Sequence, residues 1–140
     1  MNRRALQRLA DARLLDSRAL LKAKRYDAAH YFAGYVIECA LKACIARKTL
    51  RYDFPRRDTR NLYTHELELL LKEAGIEKSF QEDRRNDPTL DGYWGVVKDW
   101  KPNDVRYEIR GVGAAHTAKE FLLAIEDRQH GVLQCLSKYW

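Results

Sequence analysis

Residues 31–43, Tyr-Phe-Ala-Gly-Tyr-Val-Ile-Glu-Cys-Ala-Leu-Lys-Ala, constrain the fold more than any other stretch of the chain. At 100° per residue Tyr31, Tyr35, Glu38 and Lys42 fall on one narrow arc, and Phe32, Val36, Cys39 and Ala43 form the next stripe round. A helix so apolar belongs in the centre of a helical domain. A carboxylate and an ammonium on it cost several kcal/mol, on the order of 3–5, unless they are paired or face a wet groove. Glu38 and Lys42 form a favourable i,i+4 pair, and an arginine from another helix, Arg106, is a second candidate partner for Glu38.

The flanking periodicities build outward from this helix. Leu6, Ala10, Leu14, Ser17 and Leu21 mark an amphipathic helix over 3–23, and Asp27 is a plausible N-cap for a second helix running to about Arg47. The two predict a long antiparallel hairpin. Residues 48–62 lack a period and contain Pro55, which reads as a loop. Thr64 caps a short helix that stops at Gly75, and residues 76–86 are short and highly charged. Asp87-Pro88 opens an irregular helix and connector to Trp100, 101–104 is a turn, 105–110 has no clear assignment, and Gly111-Val112-Gly113 is a break. A last helix carries Phe121, Ile125, Val132, Leu136 and Tyr139 out to Trp140. The fold class is therefore all-α, one domain over 1–140, an antiparallel bundle of four main helices plus short helical segments.

Composition excludes several classes. With 46% hydrophobic residues in 140, the chain can bury a core, and no apolar run approaches the roughly 20 residues of a membrane span. Met1-Asn2-Arg3-Arg4 leads straight into an amphipathic pattern, and Cys39, Cys44 and Cys135 lack paired spacing, so the expected compartment is the cytoplasm with no membrane partner. His30, His65, His116 and His130 are scattered without metal-binding spacing, so neither a metal nor another cofactor is expected. His65 reads as a helix-start capping or packing residue, and His130 has no nearby partner in sequence. Charge is asymmetric: residues 1–60 carry 15 Lys and Arg against 6 Asp and Glu, while 61–140 carry 11 against 14. The basic stretch is densest at Arg47, Lys48, Arg51, Arg56, Arg57 and Arg60, a candidate nucleic-acid surface interleaved with Tyr52, Phe54 and Tyr63.

Three pieces in order carry a family resemblance. Tyr31, Tyr35, Glu38, Leu41 and Lys42 on the second helix, Thr64-His65-Glu66-Leu67 at the next element and the late pair Arg106-Tyr107 resemble the HEPN domain family, in its small stand-alone, Arg-Tyr-containing bacterial or archaeal type. The resemblance implies a helical bundle, commonly homodimeric, that acts on RNA or nucleotides. Some members are metal-independent ribonucleases of toxin–antitoxin or defence type; others are non-catalytic modules that bind a nucleotide or a partner such as a nucleotidyltransferase, an antitoxin or another defence protein.

The ribonuclease branch uses an arginine followed four to six residues later by a histidine, the arginine stabilising phosphoryl charge and the histidine shuttling a proton. Arg25/His30, Arg60/His65 and Arg110/His116 all satisfy that spacing, and position along the chain favours Arg110 and His116 as the catalytic pair. In the alternative, Tyr31, Tyr35, Glu38, Lys42, Arg106 and Tyr107 line a binding groove and no bond is broken.

Overall fold

The computed structural model describes residues 1–48 and 60–140, and among these it contains helices and no strand. Helix α1 spans Arg3–Lys22 and α2 spans Tyr26–Lys48. Asn2 caps α1 by accepting the Ala5 N–H, and Lys24, at φ 60°, closes the turn as the Lys24 and Arg25 N–H groups reach back to Leu21 and Leu20. The two helices pack as the expected hairpin. Asp27 does not cap α2: it lies inside the first turn, and its carboxylate accepts the backbone N–H of Arg110 at 3.1 Å.

Helix α2 is central because its apolar residues cover almost its whole circumference. Val36, Ile37, Ala40, Leu41 and Ala43 are fully buried, and the core continues through Leu67, Leu70, Phe80, Trp94, Val97, Ile125 and Leu136. Those residues come from α3 (Leu67–Glu73), α4 (Glu77–Asn86), α5 (Pro88–Val97), α7 (Ala114–Glu126) and α8 (Val132–Leu136), with the one-turn α6 at Pro102–Val105. The charged stretch 76–86 is thus a helix, anchored by Phe80 alone among its buried residues. Asp87 caps α5 by accepting the Thr89 and Leu90 N–H groups, as the Asp-Pro pair predicts. Thr64 sits ahead of its helix: α3 begins at Leu67, and the Thr64 hydroxyl accepts the Glu66 N–H at 3.1 Å in the preceding turn.

The last helix is not continuous. Asp127 ends α7 by accepting the Gln129 and His130 N–H groups at 2.8 and 3.1 Å, and Gly131, where a Cβ would lie 2.4 Å from the Asp127 carbonyl oxygen, turns the chain into α8. Among the described residues the expected bundle has eight helices, of which α1, α2 and α7 are the longest and the others short. The terminal aromatics pack inward: Tyr139 donates its hydroxyl to Asp83, and Arg3 donates to the Trp140 carbonyl.

One close approach fixes the segment after α5. The indole of Trp100 lies against Gly34, where a Cβ would sit 1.8 Å from the ring. Gly34→Ala is expected to cost about 2 kcal/mol and roughly 6 °C in thermal unfolding. Gly92→Ala, where a Cβ would meet nothing within 4 Å, is expected to leave the melting temperature unchanged or slightly higher.

Candidate functional site

The polar stripe of α2 runs out from the bundle centre to a groove that Tyr31 lines. Glu38 is 4% exposed, yet both of its oxygens are engaged: Lys42 Nζ donates to Oε1 at 2.7 Å and His65 Nδ1 lies 2.9 Å from Oε2. Arg106 is not its partner. The chain places Lys42 one turn along the same helix and brings His65 in from the turn before α3, while Arg106 meets the tyrosines of the stripe, and Tyr107 first, then Tyr31, raise its guanidinium pKa further. Tyr31 and Tyr35 share a hydroxyl contact of 3.2 Å, and the Tyr35 ring meets both Trp100 and His65 edge-on, at 5.0 and 6.3 Å. Burial first, then the Tyr31 hydroxyl, push Tyr35 up to about 12. Of the six groove residues, Tyr31 and Arg106 meet in one open groove, Tyr107 is 80% exposed and does not line it, and Tyr35, Glu38 and Lys42 continue the line along α2.

That groove has a volume of about 660 Å³ and lies where the α1–α2 turn faces residues 105–111. Lys24, Arg25, Arg106 and Arg110 bring four cations to it, Tyr26 and Tyr31 two aromatic side chains, and Asp27 and Glu108 two carboxylates. Arg110 Nε donates to Glu108 Oε2 at 2.6 Å while Asp27 holds its backbone. A second groove of about 440 Å³ shares Val105, Glu108 and Arg110 as its wall, and its lining includes His30, Trp100, Lys101 and the carboxylates Asp99, Asp104 and Glu120. His30 is 8% exposed and stacks edge-on against Phe121 at 4.4 Å; burial, with the Arg110 charge second, holds its pKa down to about 4.

The sequence-matched pair Arg110 and His116 faces two different carboxylates. His116, its side chain 85% exposed in the first turn of α7, has Nε2 3.7 Å from Glu120. The pair Arg25/His30 is split between the two grooves. Arg47 and Lys48 are exposed at the end of α2, Arg60 begins a 3-10 turn over Arg60–Tyr63, and Arg51, Arg56 and Arg57 lie outside the described residues. His130 does have a partner, Asp87 Oδ2 at 2.7 Å, which raises its pKa. Sequence reasoning missed the Glu38–His65 contact; the signal available was a buried carboxylate in need of partners and a histidine within the short Thr-His-Glu-Leu turn. Among the described residues no group of His, Cys, Asp and Glu could hold a metal ion, and no helix is long and apolar enough to cross a membrane.

The HEPN domain family model matches residues 3–91. The chain belongs to the HEPN domain family. The matched stretch carries the stripe and the Glu38–His65 contact of this HEPN domain and stops before Arg106, Arg110 and His116. Neither a curated protein nor a solved structure matches the chain.

His30 sets an expected acid response. Neutral in the fold down to about pH 4 but protonated below about 6.5 in the unfolded chain, it lowers stability progressively as pH falls from 6.5 to 4, by on the order of 3 kcal/mol. Thermal unfolding of His30→Leu should therefore lose less stability than the parent over that interval; parallel curves would show that His30 is protonated equally in both states.

Proposed function

We propose that this HEPN domain is an RNA-directed module that holds phosphate groups in the groove at the α1–α2 turn. The observation that carries the reading is the convergence of Lys24, Arg25, Arg106 and Arg110 beside Tyr31 in one open groove. Guanidinium groups match phosphate oxygens in geometry as well as charge, and the neighbouring tyrosines offer faces on which a base can stack. Two carboxylates against four cations leave the groove positive. Arg110 serves here as a phosphate-holding residue. A free nucleotide presents the same phosphate chemistry and is the alternative ligand. The Arg110/His116 nuclease pair has less support, because His116 does not line the groove that Arg110 lines and its exposed side chain stands 3.7 Å from Glu120.

Anisotropy with a labelled single-stranded RNA measures this directly. Arg25→Ala, Arg106→Ala and Arg110→Ala are each expected to weaken binding about 5- to 10-fold and to reduce the slope of log K against log salt by about 0.7. Competition by a mononucleotide at micromolar concentration would favour the nucleotide ligand. Binding insensitive to salt and to all three substitutions would remove the groove from consideration.

A homodimer belongs to the same reading. Tyr107, Ile109 and Val112 are exposed at 80%, 94% and 109% on the segment beside the groove, an apolar strip that a second copy of the chain would cover. Light scattering is expected to give a dimer at micromolar concentration and a monomer for Ile109→Asp with Val112→Asp. A parent that runs as a monomer would leave the strip without this role.

A further inference from the structure

We propose that the carboxylate-rich groove beside His30 binds a linear aliphatic diamine. The inference goes beyond the phosphate groove to a second compartment of opposite charge, and it does not depend on RNA binding.

The carboxylates set the sign of the ligand. Asp99 follows α5, Asp104 lies in α6, Glu108 follows α6 and Glu120 is on α7, so separate points of the chain bring four carboxylates to one groove of about 440 Å³. Only Lys101 and Arg110 oppose them in the lining, and both are engaged. Arg110 Nε donates to Glu108 Oε2 at 2.6 Å, and Lys101 Nζ lies 3.9 Å from Glu66, which is not part of the groove. Asp99 and Asp104 are exposed, and among the described residues neither has an ion-pair partner. The groove therefore keeps uncompensated negative charge. That charge is spread: among the described residues no group of His, Cys, Asp and Glu could hold a metal ion, so a cation of extended shape suits the groove better than a small ion.

His30 specifies the ligand further. It lines the groove and is 8% exposed, its ring contact is with Phe121, and among the described residues no hydrogen bond reaches either ring nitrogen. Neither nitrogen is among the sealed atoms that lack a partner, so the ring is open to the groove that it lines. Uncharged near neutral pH, the imidazole carries a lone pair on one nitrogen, which accepts a hydrogen bond from an ammonium group. Val96, Trp100, Val105 and Phe121 supply apolar lining as well. A buried acceptor, an apolar wall and two exposed, unpaired aspartates match a chain of methylenes with an ammonium at each end. One ammonium donates to His30, the methylenes lie on the apolar wall, and the second ammonium pairs with Asp99 and Asp104. No bond is made or broken.

Calorimetric titration of the full chain with putrescine tests the assignment. Saturable one-to-one binding is expected below millimolar concentration; n-butylamine, with the same chain and a single charge, should bind about 10-fold more weakly, and the uncharged butanediol not measurably. Asp99→Asn and Asp104→Asn, both on exposed side chains and so expected to fold as the parent does by circular dichroism, should each weaken putrescine about 3- to 5-fold. His30→Leu, which removes the acceptor and keeps an apolar side chain, should weaken it about 10-fold. Asp11→Asn, an exposed carboxylate outside the groove, should leave the affinity unchanged, as should Arg25→Ala, which disables the phosphate groove. The last comparison separates this proposal from the RNA reading. Absence of saturable putrescine binding, binding that magnesium ion reproduces at equal concentration, or binding that survives Asp99→Asn, Asp104→Asn and His30→Leu alike would overturn the proposal, whatever the protein does with RNA.

Discussion

A carboxylate buried in the middle of α2, the helix at the centre of the core, sets the terms for everything around it. Breaking a buried ion pair by removing one partner costs about 3–5 kcal/mol, because the remaining charge stays desolvated, so Glu38 commits Lys42 to one rotamer and ties the turn before α3 to the middle of α2. Through that tie Leu67, Leu70 and Leu71 reach the core in register. Gly34 does the complementary work on another face, letting the Trp100 indole approach α2 closely. One face of the helix is thereby fixed by charge and another by shape.

Periodicity made α1 and α2 legible because each is long enough for its apolar residues to define a face several times over. It failed at the end of the chain for an equally physical reason. Ile125 and Val132 are seven residues apart, two helical turns, so the apolar pattern passes unbroken through Asp127–Gly131 although the backbone does not. The Asp127 side chain, competing for backbone N–H groups, decided that break, and a polar residue facing its own backbone leaves little trace in a hydrophobic pattern.

The site was legible by halves. The stripe on α2 was visible as a set of residues at helical spacing, and Tyr31 and Arg106 do meet in one groove. Which residue answers Glu38 was not visible, since His65 lies 27 positions away and nothing local distinguishes it from Arg106 as a partner. Likewise Asp27, read as a helix cap, is drawn into the first turn of α2 and spends its carboxylate on the backbone of Arg110, 83 residues on. Local rules rank the candidates for a polar side chain; tertiary packing chooses among them.

The ion pair between Arg110 and Glu108 belongs to the wall of both grooves, one with an excess of cations and one with an excess of carboxylates. Two compartments divided by a breakable ion pair are not thermodynamically separate. An occupant that drew Glu108 toward one side would release the guanidinium to the other, and the free energy by which either occupant alters its neighbour's affinity is the same in both directions.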